Sequence, residues 1–172
     1  PIFAVFEGLP SNLDAAVNWP TGKTYFFKGN LYWRTSGTTV DPGYPRLISY
    51  GWPGVPDDID AAVVWEPNGK AYLFKGSQYW RYDTVNDHLD GGYPISISKG
   101  WPGYDQGEVD AAFQWSNGKT YLFDGEQYWR YNDDADRIDS GYPLTTTRHW
   151  LGCPTDGPTV PMKDVCLPIV CS

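Results

Sequence analysis

Few residues of this 172-residue chain stand where catalytic chemistry would need them. Asp133, Asp134, Asp136 and Asp139 crowd one short stretch and could be imagined as a general acid and base. Carboxylates between two strand-like runs are far more often a solvated turn, and the catalytic reading is set aside. His88 and His149 are the two imidazoles, and a haem would want positioned axial histidines. One lies in a loop and the other beside Trp150, so both read as ordinary surface residues. The three cysteines, Cys153, Cys166 and Cys171, lie close together near the end of the chain. A zinc site would prefer closely paired Cys and His ligands. Cys166 and Cys171 could close a small loop, or one of them could pair with Cys153; an odd count leaves at least one partner missing or intermolecular. No His-Glu-x-x-His, Gly-x-Ser-x-Gly or Gly-x-x-x-x-Gly-Lys motif occurs. The chain reads as a non-enzyme.

Composition points the same way. A net charge of −8 repels phosphate backbones and anionic lipid, which argues against nucleic-acid or membrane-surface binding. No stretch approaches the roughly 18 consecutive apolar residues of a membrane span. Aromatic residues make up 17% of the chain, with nine Trp and thirteen Tyr, and Gly and Pro supply frequent turns. Large flat side chains between many turns suit sheets packed face to face, so the fold class expected is all-β.

What positions these residues is a repeat. Asp14-Ala15-Ala16, Asp60-Ala61-Ala62 and Asp110-Ala111-Ala112 open three copies of one unit. Each runs on to a Trp (Trp19, Trp65, Trp115), a Gly-Lys turn and an aromatic strand such as Tyr72-Leu73-Phe74. A Gly at 29, 76 and 125 then turns the chain into Tyr32-Trp33-Arg34, Tyr79-Trp80-Arg81 and Tyr128-Trp129-Arg130. Each copy reaches Gly-Tyr-Pro, at 43–45, 92–94 and 141–143. A period near 45–50 residues with four short strands per unit marks a propeller blade. The four strands expected are Asp-Ala-Ala-Val, Tyr-Leu-Phe, Tyr-Trp-Arg-Tyr and the run after Gly-Tyr-Pro. Alternation puts Tyr79 and Arg81 on one face of the third strand and Trp80 on the other. These aromatics are expected to form the core between blades rather than a ligand stack.

Asp-Ala-Ala, Gly-Lys-x-Tyr-x-Phe-x-Gly, Tyr-Trp-Arg and Gly-Tyr-Pro together resemble the hemopexin repeat, most closely that of the C-terminal domain of matrix metalloproteinases. The resemblance covers residues 1–153 and implies a four-bladed β-propeller, with three complete blades and one outer strand in this chain. Residues 1–12 read as the outer strand of a preceding blade, 13–50, 59–98 and 109–150 as three repeats, and 154–172 as a Pro- and Cys-containing tail. In such relatives a Cys before the first blade bonds the Cys that ends the fourth. Trp150-Leu151-Gly152-Cys153-Pro154 resembles that closing end, whereas the first blade and its Cys are not in this sequence. The resemblance also implies that the backbone carbonyls of Asp14, Asp60 and Asp110 help hold a calcium-like cation in the central channel. Backbone atoms of Ala16, Ala62 and Ala112 would face a second ion, sodium or chloride. The function implied is a secreted, extracellular, non-catalytic binding module for a matrix protein or a protease inhibitor, whose parent can be a zinc metalloprotease. A haem-binding protein and a vitronectin-like adhesive protein are the alternatives. Two aromatic faces left without a neighbouring blade imply self-association or a second chain.

Overall fold

The run Gln78-Tyr79-Trp80-Arg81-Tyr82-Asp83 carries large side chains at every position, so a strand built from it must be covered on both faces. The fold provides that cover by standing successive sheets against one another. A computed structural model describes residues 5–150 of the chain; the three cysteines, and with them any disulfide pairing, lie outside the described residues, as do the first four of the twelve residues read as a preceding outer strand.

Each repeat folds into one antiparallel sheet. The first blade contains β1 (Ala15–Asn18), β2 (Lys23–Lys28), β3 (Leu31–Ser36), β4 (Thr39–Val40) and β5 (Arg46–Leu47), followed by the single helical turn α1 (Ile48–Gly51). The second contains β6 (Ala61–Trp65), β7 (Lys70–Lys75), β8 (Gln78–Asp83), β9 (His88–Leu89), β10 (Ile95–Ser96) and α2 (Ile97–Gly100). The third contains β11 (Ala111–Trp115), β12 (Lys119–Asp124), β13 (Gln127–Asn132), β14 (Arg137–Ile138), β15 (Leu144–Thr145) and α3 (Thr146–His149). Three strands of each blade pair in sequence order, with Ala62 opposite Leu73 and Leu73 opposite Trp80 in the second.

The fourth strand differs from the expectation. It is split into two two-residue pieces that share the outer edge of the third strand, as β9 and β10 share β8. The run after Gly-Tyr-Pro therefore extends for only two residues before winding into a helical turn. That turn closes with the amide of Trp52 or Trp101 donating to the carbonyl of Ile48 or Ile97, which carries the Trp back over the sheet it has just left.

The alternation expected of the third strand is present. In the third blade Trp129 and Tyr131 face the second blade, while Tyr128 packs on the opposite face with Tyr121 and Phe123. Two junctions result. Between the first and second blades, Val17, Phe27, Tyr32, Trp52 and Ile59 meet Ala62, Leu73 and Tyr82. Between the second and third, Val63, Phe74, Tyr79 and Trp101 meet Ala112, Leu122 and Tyr131. The closing Trp is the wedge in each case. Trp52 lies 4.9 Å from Tyr82 and 5.2 Å from Trp19, and Trp101 lies 4.8 Å from Tyr131, all by ring centroid.

The turn leading to each wedge needs glycine. A Cβ on Gly51 would sit 2.0 Å from the Tyr32 hydroxyl oxygen, and one on Gly100 would sit 2.1 Å from that of Tyr79. The third blade carries His149 at this position, and there Trp150 leaves the turn with a different backbone conformation.

Candidate functional site

The first strands of the three blades stand side by side and line a recess of about 750 Å³. Ala16, Ala62 and Ala112 all line it, flanked by Val17, Val63 and Phe113. Small side chains at this position let three backbones converge on one axis. Asn18, Glu66 and Gln114 add polar groups to the lining, and Trp19 and Trp115 add aromatic surface. The two tryptophans occupy equivalent repeat positions but not equivalent environments. Trp19 is 8% exposed in its junction, whereas Trp115 is 44% exposed on the face of the third blade.

Asp14, Asp60 and Asp110 are not part of this lining. Their carboxylates accept hydrogen bonds from the backbone N–H groups of Gly29, Gly76 and Gly125, at 2.7, 2.7 and 2.9 Å. Those glycines sit at φ +58°, +50° and +54°, where the hairpin between second and third strands reverses. The Asp backbone amides donate to Phe27, Phe74 and Phe123. The Asp of the repeat thus ties the start of the first strand to the next hairpin.

A second repeated arrangement escaped the reading of the sequence. The guanidinium of each third strand is held between a carboxylate and the ring of Gly-Tyr-Pro. Arg34, Arg81 and Arg130 each donate from Nε to Asp41, Asp90 and Asp139 at 2.6 Å. The same groups lie 5.0, 5.0 and 5.1 Å from the ring centres of Tyr44, Tyr93 and Tyr142. The signal was available, since an Asp precedes each of these tyrosines by three residues.

The remaining candidates resolve into structural roles. Of the four carboxylates between β13 and Gly-Tyr-Pro, Asp133 accepts from Gln114 and Thr120, and Asp136 accepts from Tyr131. Partial burial of Asp139 pushes its carboxyl up, but bonds from Asn132 and Arg130 outweigh this and hold it below the ordinary value. Asp134, with its side chain 95% exposed, comes nearest to a solvated turn and meets the Lys119 ammonium, at 3.3 Å. Asp83, His88 and Asp90 bring three possible ligand atoms within 4.8 Å of one another. Their charge is already met: Lys70 Nζ lies 2.6 Å from Asp83 and 3.4 Å from Asp90, and Arg81 holds Asp90 as well. The Lys70 ammonium and the amides of Asn86 and Val85 hold the Asp83 carboxyl far below the ordinary range. A divalent cation would have to displace Lys70. His149 is exposed, with Nδ1 3.0 Å from the Thr145 carbonyl, and stands on a different blade from His88. Nothing pairs the two imidazoles as axial ligands.

A hemopexin family model matches the chain three times, over residues 13–57, 59–104 and 109–153. Among curated proteins, vitronectin of Sus scrofa is 51% identical over 59 residues, which is 33% of this chain and 13% of vitronectin. Interstitial collagenase A of Mus musculus is 51% identical over 61 residues, 32% of this chain and 13% of the collagenase. The matched stretches thus span a small part of either relative. Among solved structures, the hemopexin fold protein CP4 from cow pea superposes with a TM-score of 0.73 at 24% identity, covering 87% of this chain and 77% of that one. No helix among the described residues is long and apolar enough to cross a membrane.

Proposed function

Because the chain belongs to the hemopexin family, we propose that it is a secreted, non-catalytic propeller module that recognises an extracellular protein, either a matrix component or a protease inhibitor. The observation that carries this reading is the set of three in-register repeats, one third of the chain matching a collagenase and a vitronectin at about half identity. The chemistry of the described residues supports it. Many of the carboxylates that could have served catalysis are engaged in hairpins, ion pairs and turns. Co-sedimentation with reconstituted type I collagen fibrils tests the reading, with fibril-free and albumin controls. Saturable retention is the expected result. Absence of retention on collagen, together with no complex with a metalloproteinase inhibitor by gel filtration, would overturn it. An adhesive role is the second reading, favoured by the vitronectin match; it predicts cell attachment to a surface coated with the chain. A Soret band on haem titration would favour the haem-binding alternative.

We propose a resident ion at the axis as well. The carbonyl oxygens of Asp14, Asp60 and Asp110 would offer a hard donor set of the kind calcium takes, with further oxygens from solvent. The backbones of Ala16, Ala62 and Ala112, converging on one cavity, would face sodium or chloride. A calcium-dependent rise in the thermal midpoint, reversed by chelation, is the expected sign. The exposed Trp115 supports self-association, which sedimentation velocity would read as a concentration-dependent rise in mass.

A further inference from the structure

The three repeats are controls for one another, and one stretch of surface fails the comparison. Immediately after Gly-Tyr-Pro, the second blade carries Ile95, Ser96 and, three residues later, Lys99; the third carries Leu144, Thr145 and Arg148. The common pattern places an apolar residue inward, a small hydroxyl outward, and a cation on the helical turn. In the first blade these positions hold Arg46, Leu47 and Tyr50. Ile95 and Leu144 are half-buried, but Arg46 is exposed, Leu47 is 48% exposed and Tyr50 is 76% exposed. Ile48 beside them is fully buried, so the turn itself is as well anchored as in the other blades.

Arg46 also changes its surroundings. Its guanidinium lies 4.7 Å from the centre of the Tyr44 ring, which Arg34 already approaches at 5.0 Å. Tyr44 therefore stands between two cations where Tyr93 and Tyr142 each face one. Arg34 is paired with Asp41. Arg46 instead donates to the Gly43 carbonyl, and no carboxylate among the described residues forms an ion pair with it. In a chain of net charge −8, a guanidinium without a carboxylate beside an exposed Leu and Tyr is a local reversal of surface character. Arg, Tyr and large apolar side chains are also the composition of interface anchors. Among the described residues strand β5 pairs with β3 along one edge only, which leaves its other backbone edge next to these side chains without a strand partner.

We propose that the outer edge of the first blade, Arg46, Leu47 and Tyr50, docks an extended acidic–apolar segment of a partner protein, with a carboxylate on Arg46 and an apolar side chain against Leu47 and Tyr50. Alternation along an added strand suits a partner whose acidic and apolar residues also alternate. The inference deepens the reading of the chain as a binding module and rests on it.

The test uses the full chain and an immobilised peptide of alternating Val and Glu, with a Val-Lys peptide as control. The variant Arg46→Ile, Leu47→Ser, Tyr50→Lys gives the first blade the residues of the second. Wild type should bind the Glu peptide and not the Lys peptide, and the variant should bind at least about tenfold more weakly with an unchanged thermal midpoint. Tyr50→Lys alone, at an exposed position, serves if the triple variant unfolds. Equal binding by wild type and variant, equal binding of both peptides, or no binding of the Glu peptide would each overturn the proposal. So would a wild-type dimer that the variant abolishes, which would make the occupant a second copy. Collagen retention separates the two levels: retention by wild type and variant alike, without peptide binding, removes this surface and keeps the module. Selective peptide binding without collagen or inhibitor binding keeps the surface and removes the proposed partner class.

Discussion

Replacing Trp52 with alanine should be a severely damaging truncation, and the third blade provides its control. Trp52 is 3% exposed. Its ring contacts Trp19, Tyr25, Phe27 and Tyr32 of its own blade and Tyr82 of the next. Removing everything beyond Cβ uncovers roughly 150–200 Å² of apolar surface, which at about 25 cal/mol/Å² amounts to about 4–5 kcal/mol as an upper bound. Measured truncations of buried aromatics fall at about 3–5 kcal/mol, so about 4 kcal/mol is expected. Trp150 occupies the same repeat position and meets Phe113, Trp115, Tyr121, Phe123 and Tyr128, all of its own blade. It is only half-buried. Its truncation forfeits the same intra-blade contacts and, among the described residues, no ring contact across a junction, so about 2 kcal/mol is expected. Urea unfolding followed by far-UV circular dichroism gives both values, provided the transition stays cooperative. If Trp150→Ala costs as much as Trp52→Ala, the wedge contributes nothing across the junction and the reasoning fails.

Gly51→Ala drives a Cβ to within 2.0 Å of the Tyr32 hydroxyl oxygen and should cost about 1–3 kcal/mol. Adding Tyr32→Phe should recover part of that loss, and a calorimetric comparison of single and double variants reads it directly. Asp60→Ala leaves the Gly76 amide without its carboxylate; a loss of about 1–2 kcal/mol is expected, with faster hydrogen exchange at Gly76. Burial, reinforced by Tyr44, pushes the Tyr32 phenol from 10.0 up to about 12. A raised folded value means that this contribution is whole below pH 10 and fades as the pH climbs from 10 to 12. Absorbance titration of the phenols should show Tyr32 ionising only with alkaline unfolding, and normal ionisation near pH 10 would contradict its burial. Asp83 runs the opposite way. Its depressed carboxyl contributes above its ordinary range, and the contribution is lost as acid protonates it well below pH 4. Lys70→Met should raise the pH midpoint of the Asp83 carboxyl resonance in an NMR titration; an unmoved midpoint would show that the ammonium does not hold the charge.

The repeat made the blades legible before any coordinates, because period, turn residues and alternation agree in all three copies. It also identified the right aromatics as core, since a strand with bulky residues on both faces can only stand between two neighbours. Two features lay beyond it. Ile97 and Ser98 look like strand residues by local preference, yet they wind into a turn because Trp101 must swing back toward Tyr131, a demand set by packing that no window of sequence displays. The Asp of Asp-Ala-Ala also has a role that the repeat did not display: its carboxylate accepts from a hairpin amide 15 or 16 residues onward. The constant spacing was visible, but the meeting of the two groups depends on the pairing of the first and second strands. The Arg46, Leu47 and Tyr50 surface was visible only as an exception, once the equivalent positions of the other two blades had shown what the rule is.

The wedge tryptophans put the unit of inheritance and the unit of packing out of phase. A family repeat takes in Trp52 or Trp101 near its end, yet that side chain completes the junction to the repeat that follows. A cut in the connection after Trp52, between Pro53 and Asp58, would divide the covalent chain while leaving both halves of that junction to hold each other. A cut through the β2–β3 turn would leave every junction residue in place and still release the hairpin that Asp14 fastens. Limited proteolysis at the first kind of site should therefore give fragments that travel together, so that nicked and intact chains differ little in native size while separating in denaturant.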